Sequence, residues 1–220
     1  MASTPARGRR REAGERRRGD ARTTAGGQDK RRNREVVDAA ARVFHERGYA
    51  DSSVQDVADE LGILKGSLYY YIRTKEDLLY WLLEEVHEEV EKILEDVAAI
   101  EDLGALERLG EYIRRQTLHN AANLIKISVY YHDAEQLSGE RRADIARRRR
   151  VHERFVIGQI AAAQEQGEVP ADADPRLLAN FVFANVIWIY RWYRTGGRLR
   201  REQLAEHTVR YVLAGLRQHP

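Results

Sequence analysis

The 220-residue chain has no cysteine and only four prolines. Without cysteine there can be no disulfide, no thiolate nucleophile and no Cys-ligated zinc or iron–sulfur centre. Four prolines and 16 glycines exclude collagen-like and proline-rich low-complexity structure. No long hydrophobic run is present. The most apolar stretch, Phe181 to Tyr190, is ten residues long and contains Asn185, whereas a membrane-spanning helix needs about 20. The basic N-terminus has no apolar stretch behind it, so a secretory signal is not expected. A cytoplasmic protein without membrane attachment is the expectation. What the chain does have is 43% hydrophobic residues, enough for one sizeable core or two small ones.

Charge is unevenly placed. The formal net charge is +2, yet residues 1–34 hold 12 Lys/Arg against 4 Asp/Glu, and the rest holds 25 against 31. After Met1, no aromatic residue, Val, Ile or Leu occurs up to Arg34. Such a segment cannot bury enough apolar area to offset its ordering entropy. Residues 1–30 are therefore read as a disordered arm. It is either a solvated tail or a basic strand that follows phosphates.

From Arg31 onward the periodicity is helical. Val36, Val37, Ala40, Val43 and Phe44 recur at three- and four-residue steps, and Gly48 stands where a helix C-terminus needs a left-handed residue. Ser53-Val54-Gln55-Asp56 has the spacing of a capping box, with Val54, Val57, Ala58 and Leu61 as the buried stripe of the following helix. Gly62 follows, then a short helix over Lys65 to Ile72. Thr74-Lys75-Glu76-Asp77 is a second capping box, opening a long helix to about Ala99. Helix, glycine turn and helix over 54–71 match a helix-turn-helix. In such a unit the second helix enters the major groove N-terminus first. Lys65 and Gly66 would then present a cation and a backbone N–H to phosphate. Ser67, Tyr69 and Tyr70 can donate to phosphate or base edges, and Lys75 can reach a flanking phosphate. The competing reading is a plain helical hairpin. Against it, three consecutive tyrosines cannot all face a small core.

The run Ser53-Val54-Gln55-Asp56-Val57-Ala58, Leu61-Gly62-Ile63, Lys65-Gly66-Ser67-Leu68-Tyr69-Tyr70-Tyr71 and Lys75-Glu76-Asp77-Leu78-Leu79 resembles the signature of TetR-family transcriptional regulators. The resemblance covers about residues 31–80. It departs at Leu64, where the family often has a capping Ser or Thr, and at Ile72, where Phe is usual. It implies a homodimer whose two heads bind a palindromic operator, usually repressing transcription until a small effector binds the C-terminal domain. By position, Ser53 and Tyr70 resemble phosphate contacts. Lys65, Gly66, Ser67 and Tyr69 resemble the groove-facing set, and Tyr71 packs inward.

Beyond the long helix, helical stretches are expected at about 103–118, 120–133, 138–166, 175–195 and 200–217. No segment alternates as a strand, so a doubly wound enzyme fold is excluded. The expected fold is all-α. A basic arm (1–30) precedes a three-helix helix-turn-helix domain (31–74), and a helical ligand-binding and dimerisation domain (75–220) follows. The acidic face of the long helix, Glu84, Glu85, Glu88, Glu89 and Glu91, reads as a solvated surface. The last two helices are apolar on more than one face, which suits both an inner core and a partner subunit.

Two stretches could meet an anionic effector. One is the arginine run from Arg147 to Arg150, which could equally be a solvated face. The other is Trp188-Ile189-Tyr190-Arg191-Trp192-Tyr193-Arg194. Trp188, Arg191, Trp192 and Arg194 there can stack on a planar group and clamp phosphate or carboxylate, or else anchor a protein interface. This stretch is similar to the tail of TetR regulators that respond to acyl-CoA thioesters, including repressors of sterol-ring catabolism. The effector that resemblance implies is a CoA thioester, with no metal or other cofactor. Glu84-x-x-His87 is a single motif of the di-iron type, whose bundles need two. A di-iron enzyme and a protein-interaction scaffold stand as the alternative functions.

Overall fold

The computed structural model describes residues 32–218, so the basic arm lies outside the described residues. Helices account for all the regular structure there, with no strand. Helix α1 (32–47) buries Val36, Val37, Ala40, Val43 and Phe44 and stops at Gly48, whose φ of 80° suits a residue without Cβ. Helix α2 (Val54–Glu60) starts on the expected box: the Ser53 hydroxyl accepts from Asp56 N–H, and Asp56 accepts in return from Ser53 N–H. At its other end, Gly62 N–H donates to Asp59 O (3.0 Å) and Ile63 N–H to Ala58 O (3.0 Å). That paired closure, with Gly62 at φ 66°, is a Schellman motif. It turns the chain sharply into α3 (Lys65–Leu68).

Helix α3 is shorter than its sequence suggests. It ends at Leu68, and Tyr69 to Ile72 continue in tight turns, with Tyr71 N–H on Leu68 O at 2.9 Å. Leu64, its N-cap, has no side chain able to accept from the exposed N–H groups. Leu68 and Ile72 are the two residues of this segment that seal into the core.

Helix α4 (Lys75–Ala98) opens on the second box. Asp77 accepts from Arg73 N–H (2.7 Å) and Thr74 N–H (2.8 Å) and pairs with Arg141. Burial pushes the Asp77 carboxyl up, but these hydrogen bonds outweigh it and hold the group below its usual range. The first half of α4 belongs to one core with α1 to α3. That core continues into Ile127, Val129 and Tyr130 of α6 (Leu124–Asp133) and Ile145 of α7 (Gly139–Glu165). The second half, through Leu94 and Val97, joins a second core with α5 (Ala105–Ala122), α7, α8 (Pro175–Ile187) and α10 (Arg201–Arg217). One helix thus runs through both hydrophobic centres.

The acidic face of α4 is divided: Glu88 and Glu89 are exposed as expected, whereas Glu84, Glu85 and Glu91 pack against basic side chains. Arg148 of α7 lies 3.8 Å from Glu84 and 3.5 Å from Glu91, and Lys126 of α6 reaches Glu85 at 3.0 Å. Of the arginine run, Arg148 is tied to α4 in this way, while Arg147 and Arg149 pair within α7 with Asp144 and Glu153.

The expected helix 175–195 is interrupted. It breaks at Trp188, resumes as α9 (Ile189–Trp192) and turns extended at Tyr193. The cause is a side chain inserted into the helical ladder. Asn120 of α5 donates to Val186 O at 2.9 Å, taking the carbonyl that the next turn would use.

Candidate functional site

The DNA-reading face is built by α2, the Gly62 turn and α3. Tyr70 is 87% exposed and Tyr69 46%, while Tyr71 is half-buried against the core. Lys65, Gly66 and Ser67 are exposed at the start of α3. Lys65 Nζ lies 5.8 Å from the Tyr69 ring centre, so cation and phenol share one surface. A Cβ added at Gly66 would meet nothing within 4 Å, so its backbone is open to an approaching phosphate. Ser53 is exposed too, although its hydroxyl already serves the cap, donating to Asp56 Oδ2 at 2.7 Å. Leu64 stands 81% exposed beside this set.

Lys75 differs from expectation. Its ammonium donates to the carbonyls of Tyr49 (2.6 Å), Ala50 (3.3 Å) and Ser52 (2.8 Å) and sits 4.3 Å over the Tyr49 ring. Three donors on three carbonyls leave none for a phosphate. The physical reason is proximity: the α1–α2 turn ends beside the N-terminus of α4, and its carbonyls converge on the nearest cation. Lys75 ties the head together.

The second site is an inner cavity of about 90 Å³ among α4, α5, α6, α7 and α8. Val86, Val90, Ile127, Phe183 and Val186 form its apolar wall. Its polar groups are ordered in pairs. The Tyr130 hydroxyl meets His87 Nε2 at 3.0 Å, and the Tyr112 hydroxyl is hydrogen-bonded to His152 Nε2. Burial, the larger effect, and nearby arginines lower His87 to about 4; burial and neighbouring His87 lower His152 to about 3. Both rings are neutral at ordinary pH. Arg149 also lines the cavity, with its Nε on Glu153 at 2.9 Å.

The third is an outer groove of about 460 Å³ where α1, α6 and α9 meet. His45 of α1 reaches Ser128 Oγ of α6 at 2.6 Å. Tyr190, Arg191 and Arg194 bound the other side. Tyr131, which lines the cavity, and Tyr190, which lines the groove, stack with centroids 6.1 Å apart and planes 9° apart. The two spaces are therefore neighbours across one pair of rings.

Against this geometry, the effector residues expected from sequence divide. Arg191 and Arg194 lie in the outer groove. Trp188, 59% exposed, carries the Arg191 guanidinium 5.8 Å from its ring. Trp192 is exposed and leans edge-on against Tyr193. None of the four enters the cavity. Arg147 lines neither space: it is exposed and paired with Asp144 at 2.7 Å, because it projects from the solvent side of α7. Arg149, two residues on, is the arginine of that run at the cavity. The residues that build the cavity, above all Tyr112, Gln116, Asn120, Tyr130 and His152, carried no signal in the sequence, since single polar residues on amphipathic helices read as ordinary core or surface positions. Among the described residues, no group of three or more His, Asp or Glu side chains is arranged to hold a metal ion, and His87 of the Glu-x-x-His motif is committed to Tyr130. No helix there is long and apolar enough to cross a membrane.

A tyrosine-bearing helix-turn-helix joined by one helix to an all-helical body with an internal cavity defines the class of effector-gated DNA-binding proteins. Residues 36–80 match the family described as "Bacterial regulatory proteins, tetR family", and residues 102–216 match "Tetracyclin repressor-like, C-terminal domain". The chain belongs to the TetR family, and so is a DNA-binding transcriptional regulator and not an enzyme. It is 29% identical over 196 residues to the HTH-type transcriptional repressor KstR2 of Mycobacterium tuberculosis, covering 86% of this chain and 95% of that one. It is 26% identical over 164 residues to the fatty acid metabolism regulator protein of Bacillus subtilis, covering 69% and 78%. Among solved structures, AibR in complex with isovaleryl coenzyme A and operator DNA aligns with a TM-score of 0.73 at 30% identity, covering 81% of this chain and 96% of that one. The ketosteroid transcriptional regulator KstR2 of M. tuberculosis aligns with a TM-score of 0.79 at 28% identity, covering 84% and 94%.

Proposed function

We propose that the chain is a cytoplasmic homodimeric repressor, released from a palindromic operator by an acyl-CoA thioester. In this reading residues 31–74 form the DNA-reading domain and 75–220 the effector and dimerisation domain. Lys65, Gly66, Ser67, Tyr69, Tyr70 and Ser53 face the operator. The acyl group enters the inner cavity, and the coenzyme's phosphates meet Arg191 and Arg194 in the outer groove, with Trp188 beside them for stacking. One observation carries the effector reading: a groove with two arginines abuts a cavity with an apolar wall, and the same groove is floored by His45 of the DNA-reading head. An occupant there presses on α1 directly, and α4 transmits the same displacement along its length. Coupling between the two sites follows, since each occupant favours a different head position. AibR, solved in complex with isovaleryl coenzyme A and operator DNA, supports the ligand class.

Exposed Leu177 and Phe181 on α8 and Tyr211 on α10 supply the apolar surface for a partner subunit. The alternatives of a di-iron enzyme and a scaffold have no such observation in their favour. Isothermal titration with acyl-CoA and with free CoA, paired with gel-shift assays on operator DNA, tests the proposal. Acyl-CoA is expected to bind and to release the operator. Absence of binding, or binding without release, overturns the effector reading and leaves family membership intact.

A further inference from the structure

Gln116 of α5 is 5% exposed and lines the inner cavity. Its neighbours dictate which end of its amide is free. The Val186 carbonyl can only accept, so Asn120 must offer it Nδ2, at 2.9 Å. Asn120 Oδ1 is then an acceptor, and Gln116 fills it with Nε2, also at 2.9 Å. This leaves Gln116 Oε1 as an acceptor, and it is buried with no protein partner. A buried acceptor without a donor costs about 1–3 kcal/mol, which a suitable ligand recovers on binding. The cavity's charge state limits that ligand further. His87 and His152 are neutral and tied to tyrosines, and the charge of Arg149 is offset by Glu153, which also lines the cavity, so a buried carboxylate meets no net positive charge there.

We propose that the inner cavity takes an uncharged, mostly apolar acyl group bearing one hydroxyl, and that Gln116 selects it by accepting that hydroxyl's hydrogen bond through Oε1. This rests on the reading of the cavity as the effector's acyl site. A keto group at the same place would set two acceptors against each other, so alcohol and ketone of the same shape are told apart. Gln116 is thus a specificity-determining residue, and the Asn120–Val186 contact that breaks α8 from α9 is what orients it.

The test uses the full chain with matched pairs. Titration of 3-hydroxybutyryl-CoA against 3-oxobutyryl-CoA is expected to favour the hydroxyacyl thioester by about tenfold or more, and Gln116→Met to bring the two within about twofold. Cyclohexanol against cyclohexanone, read by thermal shift, asks the same question without the coenzyme. The wild-type ratios suffice if the variant does not fold. Equal or reversed affinity for the two thioesters overturns the proposal while the acyl-CoA reading stands. A preference for cyclohexanol with no binding of either thioester supports the role of Gln116 and removes the coenzyme. Failure of every probe to discriminate overturns it outright.

Discussion

The DNA-reading head and the effector body use polar groups in opposite ways. In the head, functional atoms stand on the surface of short elements whose geometry is set by neighbours in sequence: Ser53 with Asp56, Gly62 with Asp59, Ile63 with Ala58, Thr74 with Asp77. In the inner cavity of the body, the polar pairs are buried, and the partners are distant along the chain. Tyr112 meets His152, His87 meets Tyr130, and Asn120 meets Val186. The head must present a fixed shape to a large, charged, solvated partner. The body must instead enclose a small one, and enclosure requires several helices to agree. The two regions are still one packing unit, because the first core runs from Phe44 to Ile145.

That continuity sets the largest expected effect. Phe44→Ala should cost about 3–5 kcal/mol, and circular dichroism should show one cooperative transition at lower temperature. Two separated transitions would divide head from body. The next effect belongs to the body alone. His87 and His152 have depressed folded-state values, so their stabilising contribution is complete above about pH 6.5 and is lost as pH falls toward about 4 and about 3. His87 alone is worth on the order of 3 kcal/mol by the time both states are protonated. Melting temperature should fall between pH 6.5 and 5 and fall less in His152→Phe, whereas a pH-independent melt over that window would place charged partners beside the rings. A smaller effect isolates the head's surface. Lys65→Ala and Tyr70→Phe should each weaken operator binding about three- to tenfold, with no change in melting temperature; unchanged gel-shift affinity for both would move the contact surface elsewhere. The smallest is a gain: Leu64→Ser supplies the missing N-cap of α3 and should add about 0.5–1 kcal/mol, measured by urea unfolding.

Much of the head was legible because local rules govern it. The capping boxes, the two glycine stops and the outward tyrosines follow from spacings of three or four residues. The length of α3 was not legible, since Leu68 and Ile72 are drawn inward by a core to which α1 and α4 contribute. Nor was Lys75, whose cation answers to carbonyls more than 20 residues away. In the body the apolar stripes announced the helices. The arginine run could not say which member turns inward: Arg148 does, toward Glu84 and Glu91 of α4, while Arg147 and Arg149 both stay exposed.

By itself the sequence determined an all-helical chain with a DNA-reading helix-turn-helix, because caps, turns and amphipathic stripes act over one or two helical turns. Only the tertiary structure decided where an effector fits. The cavity, the neutral histidines and the free oxygen of Gln116 arise where five helices converge, and a hydrogen bond from α5 breaking the α8 ladder is invisible until those helices are packed.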